Sequence, residues 1–151
     1  MKTKHSKKEL VIAKRDKSPK IWMAKGEYTN IIVSTEQSNG EYVISDGAIH
    51  PDGFIPEHYH KWEDQTFHVL EGEVEAKIGN KIYQLSTGDS IHCPRGITHY
   101  MKNNSTKNVR LLSYIFPGTW AEDYFEETSR QNHSGEYDLE LVEEKYGVVY
   151  T

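Results

Sequence analysis

Three histidines carry the strongest chemical signal in the chain. His58 and His60 stand in Pro56-Glu57-His58-Tyr59-His60, and His99 closes the run Gly88-Asp89-Ser90-Ile91-His92-Cys93-Pro94-Arg95-Gly96-Ile97-Thr98-His99. Side chains of an extended strand alternate faces, so His58 and His60 point the same way, one repeat apart. Two imidazoles at that spacing can converge on one ion. Pro94 and Gly96 build a tight turn that delivers His99 to the start of a new strand. Imidazole suits Zn, Cu, Fe and Ni, and Mn is also compatible, so the residues imply a divalent transition metal without choosing one. Three imidazoles packed together with no ion would be hard to satisfy by hydrogen bonds, which weighs against a pocket that has lost its metal.

Strands must hold these residues. From about Ile21 to Phe116 the sequence breaks into short β-branched and aromatic runs separated by turn residues, among them Tyr28–Ser34, Glu41–Ser45, Glu73–Ile78, Lys81–Leu85 and Arg110–Phe116. Runs of this length and spacing predict an all-β sandwich or barrel. The clearest hairpin joins Val74–Ile78 to Lys81–Leu85 through Gly79-Asn80, which supplies the positive φ of a tight turn. Ser38-Asn39-Gly40 and Thr87-Gly88-Asp89 read as further turns. After Pro117-Gly118 the character changes. Thr119-Trp120-Ala121-Glu122 has the form of a capping box, and Trp120, Tyr124 and Phe125 share a helical face that would cover one end of the barrel. A second helix is expected from Asp138 to Tyr146, grouping Leu139, Val142 and Tyr146 and stopping at Gly147, with Gln131–Gly135 as the intervening loop. The expected organisation is therefore a flexible basic segment over 1–20, a β-barrel over 21–117 and a helical tail over 118–151 packed on it.

Size and charge narrow the function classes. A chain of 151 residues can bury a core large enough to fold without disulfides, and its single cysteine, Cys93, excludes an internal disulfide. No apolar run approaches the ~20 residues of a membrane helix. The basic N-terminal segment is followed by no apolar stretch, so it does not read as a secretory signal, and a cytoplasmic protein is expected. Net charge is −5, with acidic residues gathered from Glu122 to Glu144. A nucleic-acid binder would want a basic face on its folded part, and only the N-terminal segment is basic, so nucleic acid is not an expected partner.

At the two histidine segments the sequence resembles the cupin superfamily, whose fold is a double-stranded β-helix or jelly-roll barrel. The family's second motif, G-x5-P-x-G-x2-H-x3-N, is met in full by Gly88, Pro94, Gly96, His99 and Asn103. The first is met by His58, His60 and Gly72, with Phe67-His68-Val69-Leu70-Glu71-Gly72 close to its usual ending. Looser matches at Ser34–Gly40, Pro117–Trp120 and Lys145–Gly147 look like the small single-domain cupins called quercetin-dioxygenase-like, in which a helical tail follows the barrel. The resemblance implies a metal held by His58, His60, His99 and the residue at position 65. There the family's metal-binding glutamate is replaced by Gln65, chosen by its register with Gly72. Glu63 shares its parity but lies two residues nearer the H-x-H turn, and Asp64 would face the other way. Gly53 also sits one residue nearer the pair than the motif prefers.

An amide in place of a carboxylate leaves the ion's charge less neutralised and removes a general base from that position. Among the remaining candidates, His68 alternates away from Gln65, Glu57 should be an outward solvated charge, and Cys93 reads as a buried filler. Tyr59, Trp62, Phe67, Tyr100 and Tyr114 read as core or pocket wall, while His5, His50 and His133 carry no spacing argument. The resemblance implies a metal-dependent oxidoreductase of dioxygenase type acting on a small enolic or aromatic compound. The alternatives are a metal-dependent isomerase or lyase and a non-catalytic small-molecule binder. A homodimer is expected from the family and from exposed sheet edges.

Overall fold

The computed structural model describes residues 10–151, and the start of the basic segment lies outside them. Residues 10–20 form neither helix nor strand. The chain then runs through ten strands, two helices and a last short strand: β1 (Ile21–Ala24), β2 (Glu27–Val33), β3 (Val43–Ile49), β4 (Phe54–His60), β5 (Asp64–Glu71), β6 (Glu73–Ile78), β7 (Lys81–Ser86), β8 (Ser90–Cys93), β9 (His99–Lys102), β10 (Val109–Phe116), α1 (Ala121–Ser134), α2 (Leu139–Tyr146) and β11 (Val148–Tyr150). One sheet has the order β1-β2-β3-β10-β5-β8 and the other β11-β4-β9-β6-β7, all neighbours antiparallel.

The alternation in sequence becomes the division between inside and outside. In β5, Gln65, Phe67 and Val69 are buried while Thr66, His68 and Leu70 between them are only half-buried. In β10, Val109, Leu111, Ser113 and Ile115 alternate inward in the same way. The hairpin closes as expected, with Ile78 opposite Lys81 and Gly79 at φ 56°. One apolar cluster fills the space between the sheets with Ile49, Phe67, Val69, Val74, Ala76, Cys93, Met101, Val109 and Leu111.

A second cluster joins the helices to the barrel through Met23, Val43, Ile115, Ala121, Tyr124, Phe125, Val142, Tyr146 and Val148. Here the structure differs from expectation at four points. The capping box does not form: Thr119 donates to the Gly40 carbonyl, and Glu122 accepts from the Thr35 amide, so both side chains tie the helix start to the β2–β3 connection. The helix α1 continues through the residues assigned to a loop and ends only at Gly135, whose φ of 73° stops it. Leu139 is exposed rather than grouped with buried Val142 and Tyr146, because α2 begins at the surface with Asp138 capping the Leu141 amide. The tail also ends in a strand, not a helix, with β11 pairing along β4 from Val148↔His60 to Tyr150↔His58. Gly147 makes that return possible. Its φ is 68°, and a Cβ there would lie 2.6 Å from the Trp62 ring.

Candidate metal centre

The cross-strand register of β4 and β9 brings together histidines that are far apart in sequence, with His58 directly opposite His99. The Pro94–Gly96 turn is anchored to the same place, since the Gly96 amide donates to the His60 carbonyl at 2.7 Å, with Gly96 at φ 78°. His58, His60 and His99 are all buried, and their ligand atoms lie within 4.8 Å of one another.

Each ring is held from behind by an oxygen. His58 Nδ1 lies 2.6 Å from the Pro56 carbonyl, His99 Nδ1 lies 3.2 Å from the Ile97 carbonyl, and His60 Nδ1 lies 2.7 Å from Glu63 Oε2. A carbonyl or carboxylate oxygen only accepts, so Nδ1 carries the proton in each neutral ring and the Nε2 lone pairs face one another. The His58 and His60 Nε2 atoms are 3.2 Å apart, and His99 Nε2 has no partner. Two lone pairs at that distance cannot satisfy each other, whereas a cation between them would accept all three. The residues fit a divalent ion in both donor type and tautomer.

The electrostatics agree. Burial, followed by the neighbouring imidazoles His99 and His60, pushes the His58 ring well below its usual range. Burial and His60 push His99 down to about 4. Both rings are therefore neutral at neutral pH, with lone pairs free to ligate and no charge to repel an incoming cation.

Gln65 is buried on β5, and its amide Nε2 donates to Ser113 Oγ at 3.0 Å. That bond leaves Oε1 with no partner, on a side chain that lines the same cavity as His58 and His60. Glu63 occupies a different role from Gln65. It is 1% exposed and sits behind His60, orienting the ring from the side away from the other imidazoles. Its spacing three residues after His60 was the signal available in the sequence. Asp64 faces outward, as its parity demands, and pairs with Arg95 at 3.0 Å.

The other candidates lie apart from the cluster. His68 bonds Ser90 and His92 bonds Thr66 on the outer face of the six-stranded sheet. Cys93 is buried, and burial pushes its thiol up to about 12, consistent with a filler. Glu57 is not a free solvated charge: Lys77 sits 2.6 Å away and holds its carboxyl below the usual range. Of the five aromatics read as core or wall, only Phe67 lines the cavity. Tyr100 bonds Glu75, and Tyr114 stacks on Phe116, both from half-buried outward positions.

His58 and His60 stand at one wall of a cavity of about 660 Å³, with His99 packed behind them. Met23, Ile49, Leu111, Phe125 and Val142 supply apolar lining, so the two helices form part of its wall. Polar groups reach it from Glu27, Thr29, Ser45, Gln65, Ser113, Tyr124 and Tyr150. The sequence reading missed Glu27 and Tyr150. Glu27 stands just outside the β-branched run that marked its strand, and Tyr150 belongs to the strand that was not foreseen.

A two-sheet antiparallel barrel with imidazoles converging inside it is the arrangement of a double-stranded β-helix metal site. Residues 46–115 match the family described as Cupin domain, and the chain carries a cupin fold. Bacillus subtilis quercetin 2,3-dioxygenase is 24% identical over 63% of this chain and 28% of its own length. A Klebsiella pneumoniae protein with a double-stranded β-helix domain superposes with a TM-score of 0.55 at 25% identity, covering 61% of this chain and 77% of that one. The polyketide cyclase RemF from Streptomyces resistomycificus superposes with a TM-score of 0.62 at 20% identity, covering 80% of this chain and 98% of that one. The chain spans 28% to 54% of the length of the curated relatives it matches. No helix among the described residues is long and apolar enough to cross a membrane.

Proposed function

We propose that this cupin is a metal-dependent oxidoreductase of dioxygenase type acting on a small enolic or aromatic compound. The ion would be held by Nε2 of His58, His60 and His99 and by Oε1 of Gln65. The observation that carries this reading is the buried cluster of three imidazoles beside a largely apolar cavity, with His58 and His60 Nε2 facing each other and His99 Nε2 without a partner. A bound divalent ion would supply Lewis acidity and, if redox-active, a path for electrons between the organic compound and oxygen. The chain's own residues do the rest. Glu63 fixes the His60 ring, Ser113 fixes the Gln65 amide, and the apolar walls exclude bulk water from a flat ligand. The likeness to a quercetin dioxygenase supports an oxygen-dependent reaction.

One observation favours a second reading. Position 65 offers an amide, which cannot take a proton as a carboxylate would, so an isomerase or lyase that only polarises a ligand oxygen fits the same donors. The likeness to a polyketide cyclase supports that alternative. A pocket that binds without turnover is the third. Oxygen uptake by the Fe(II)-loaded protein given quercetin separates them. The dioxygenase reading expects oxygen consumed in step with quercetin. Equal quercetin loss under nitrogen would replace it with the isomerase or lyase, and binding with no turnover in any metal form would leave a binder.

A further inference from the structure

Glu27 stands at the start of β2, 8% exposed, with its side chain lining the cavity. Among the described residues its carboxyl makes no hydrogen bond or ion pair, so nothing offsets the cost of charging it, and burial pushes it up to about 8. The group is therefore a neutral carboxylic acid at neutral pH. Tyr124 and Tyr150 line the same cavity, beside the histidines. Their hydroxyls meet at 2.7 Å, and a charge on Glu27 would push both phenols up. At their other ends the Tyr124 ring lies against His60, centroids 6.0 Å apart, and the Tyr150 ring against His58, centroids 5.8 Å apart. Glu27 and the His58 and His60 imidazoles thus line one cavity. An unpartnered acid among apolar walls is costly unless something that enters the cavity uses it.

We propose that Glu27 is the cavity's proton donor, a neutral carboxyl that hydrogen-bonds to an oxyanion of a bound enolic or aromatic ligand. This rests on reading the cavity as the site of such a ligand and deepens it: the ligand binds as an anion, with one face toward the histidines and an oxygen toward Glu27. In the bound state the Glu27 O–H stays intact. If the ligand's oxyanion or enolate carbon takes the proton, the Glu27 O–H bond breaks, an O–H or C–H bond forms on the ligand, and the negative charge moves to the carboxylate. No oxidant is needed.

The titratable groups that share the cavity are Lys25 from the β1–β2 turn, Tyr28 from β2, Glu57, His58 and His60 from β4, Tyr124 from α1, Tyr137 from the α1–α2 connection and Tyr150 from β11. Tyr124 and Tyr150 are pushed up, and His58 and Glu57 are pushed down. The sign for Glu27 follows directly. Below about 8 it is protonated and donates; above, it is a carboxylate that repels an oxyanion.

The probe is 2,4-dinitrophenolate, which stays ionised from pH 6 to 10, titrated into the full chain with and without added metal. Wild type should bind with constant affinity between pH 6 and 7 and lose up to about tenfold per pH unit above pH 8. Glu27→Gln keeps an N–H donor and loses the titration, so its affinity should be flat across that range, whatever its level. Glu27→Asp keeps a carboxyl and should keep a slope. Coincident profiles for wild type and Glu27→Gln overturn the proposal, and failure of wild type to bind the probe at pH 6–7 overturns the ligand class. Metal content on the same samples separates this from the metal reading, because the Glu27 comparison is made in the metal-free protein as well.

Discussion

The two ends of the barrel interior are built from the same strands and have opposite chemistry. On β9, His99 belongs to the imidazole cluster, and Met101, one repeat further on, is fully buried in the apolar cluster. On β5 the change is complete at Val69, two repeats from Gln65, and on β10 at Val109, two repeats from Ser113, while Phe67 and Leu111 between them still line the cavity. Alternation decides only that a residue faces inward. Position along the strand decides whether inward means a dry contact or an open cavity with lone pairs to satisfy. The dry end holds the strands together by burial, roughly 25 cal/mol per Å² of apolar surface. The polar end costs stability, since it keeps Glu27, Glu63 Oε1, Gln65 Oε1 and His99 Nε2 buried without partners. That division leaves a packed apolar end and, at the other, a cavity edged by unpartnered polar atoms.

The division can be broken from either side. Met101→Ala removes a fully buried side chain from the dry end and should cost about 2–5 kcal/mol of unfolding free energy in denaturant titrations. Its metal stoichiometry should not change. A variant that unfolds as wild type, or that stays folded but loses its metal, would show that the ends are not separable. Glu63→Gln acts at the polar end with a smaller effect. It replaces the carboxyl behind His60 with an amide that still offers an acceptor, so metal affinity read by chelator competition should fall about 10- to 100-fold, with denaturant stability of the metal-free chain near wild type. Unchanged affinity would make Glu63 a buried bystander.

How legible this was in the sequence depends on the kind of feature. The H-x-H pair and the Pro94–Gly96 turn are local devices, and strand parity carried His58, His60, Gln65 and His99 to the inside correctly. The turn at Gly79-Asn80 and the helix stop at Gly147 were equally local. The features that escaped depend on contacts between distant segments. The helix start at Thr119 and Glu122 bonds the β2–β3 connection instead of capping itself, and Val148–Tyr150 is a strand only because β4 offers it an edge. Glu63 was weighed as a ligand, and only the fold shows it standing behind His60. Glu27 gave no signal at all, because a lone acid at a strand start looks like a surface charge until the fold buries it in the cavity wall.

The central claim is that the three imidazoles hold an ion. Elemental analysis of the full chain, incubated with Co(II) and freed of excess by gel filtration, tests it most directly. The account predicts about one equivalent per chain in wild type and loss of binding when His60 and His99 are both changed to Ala. A wild type that carries no stoichiometric metal, or a folded double variant that still carries it, would contradict it.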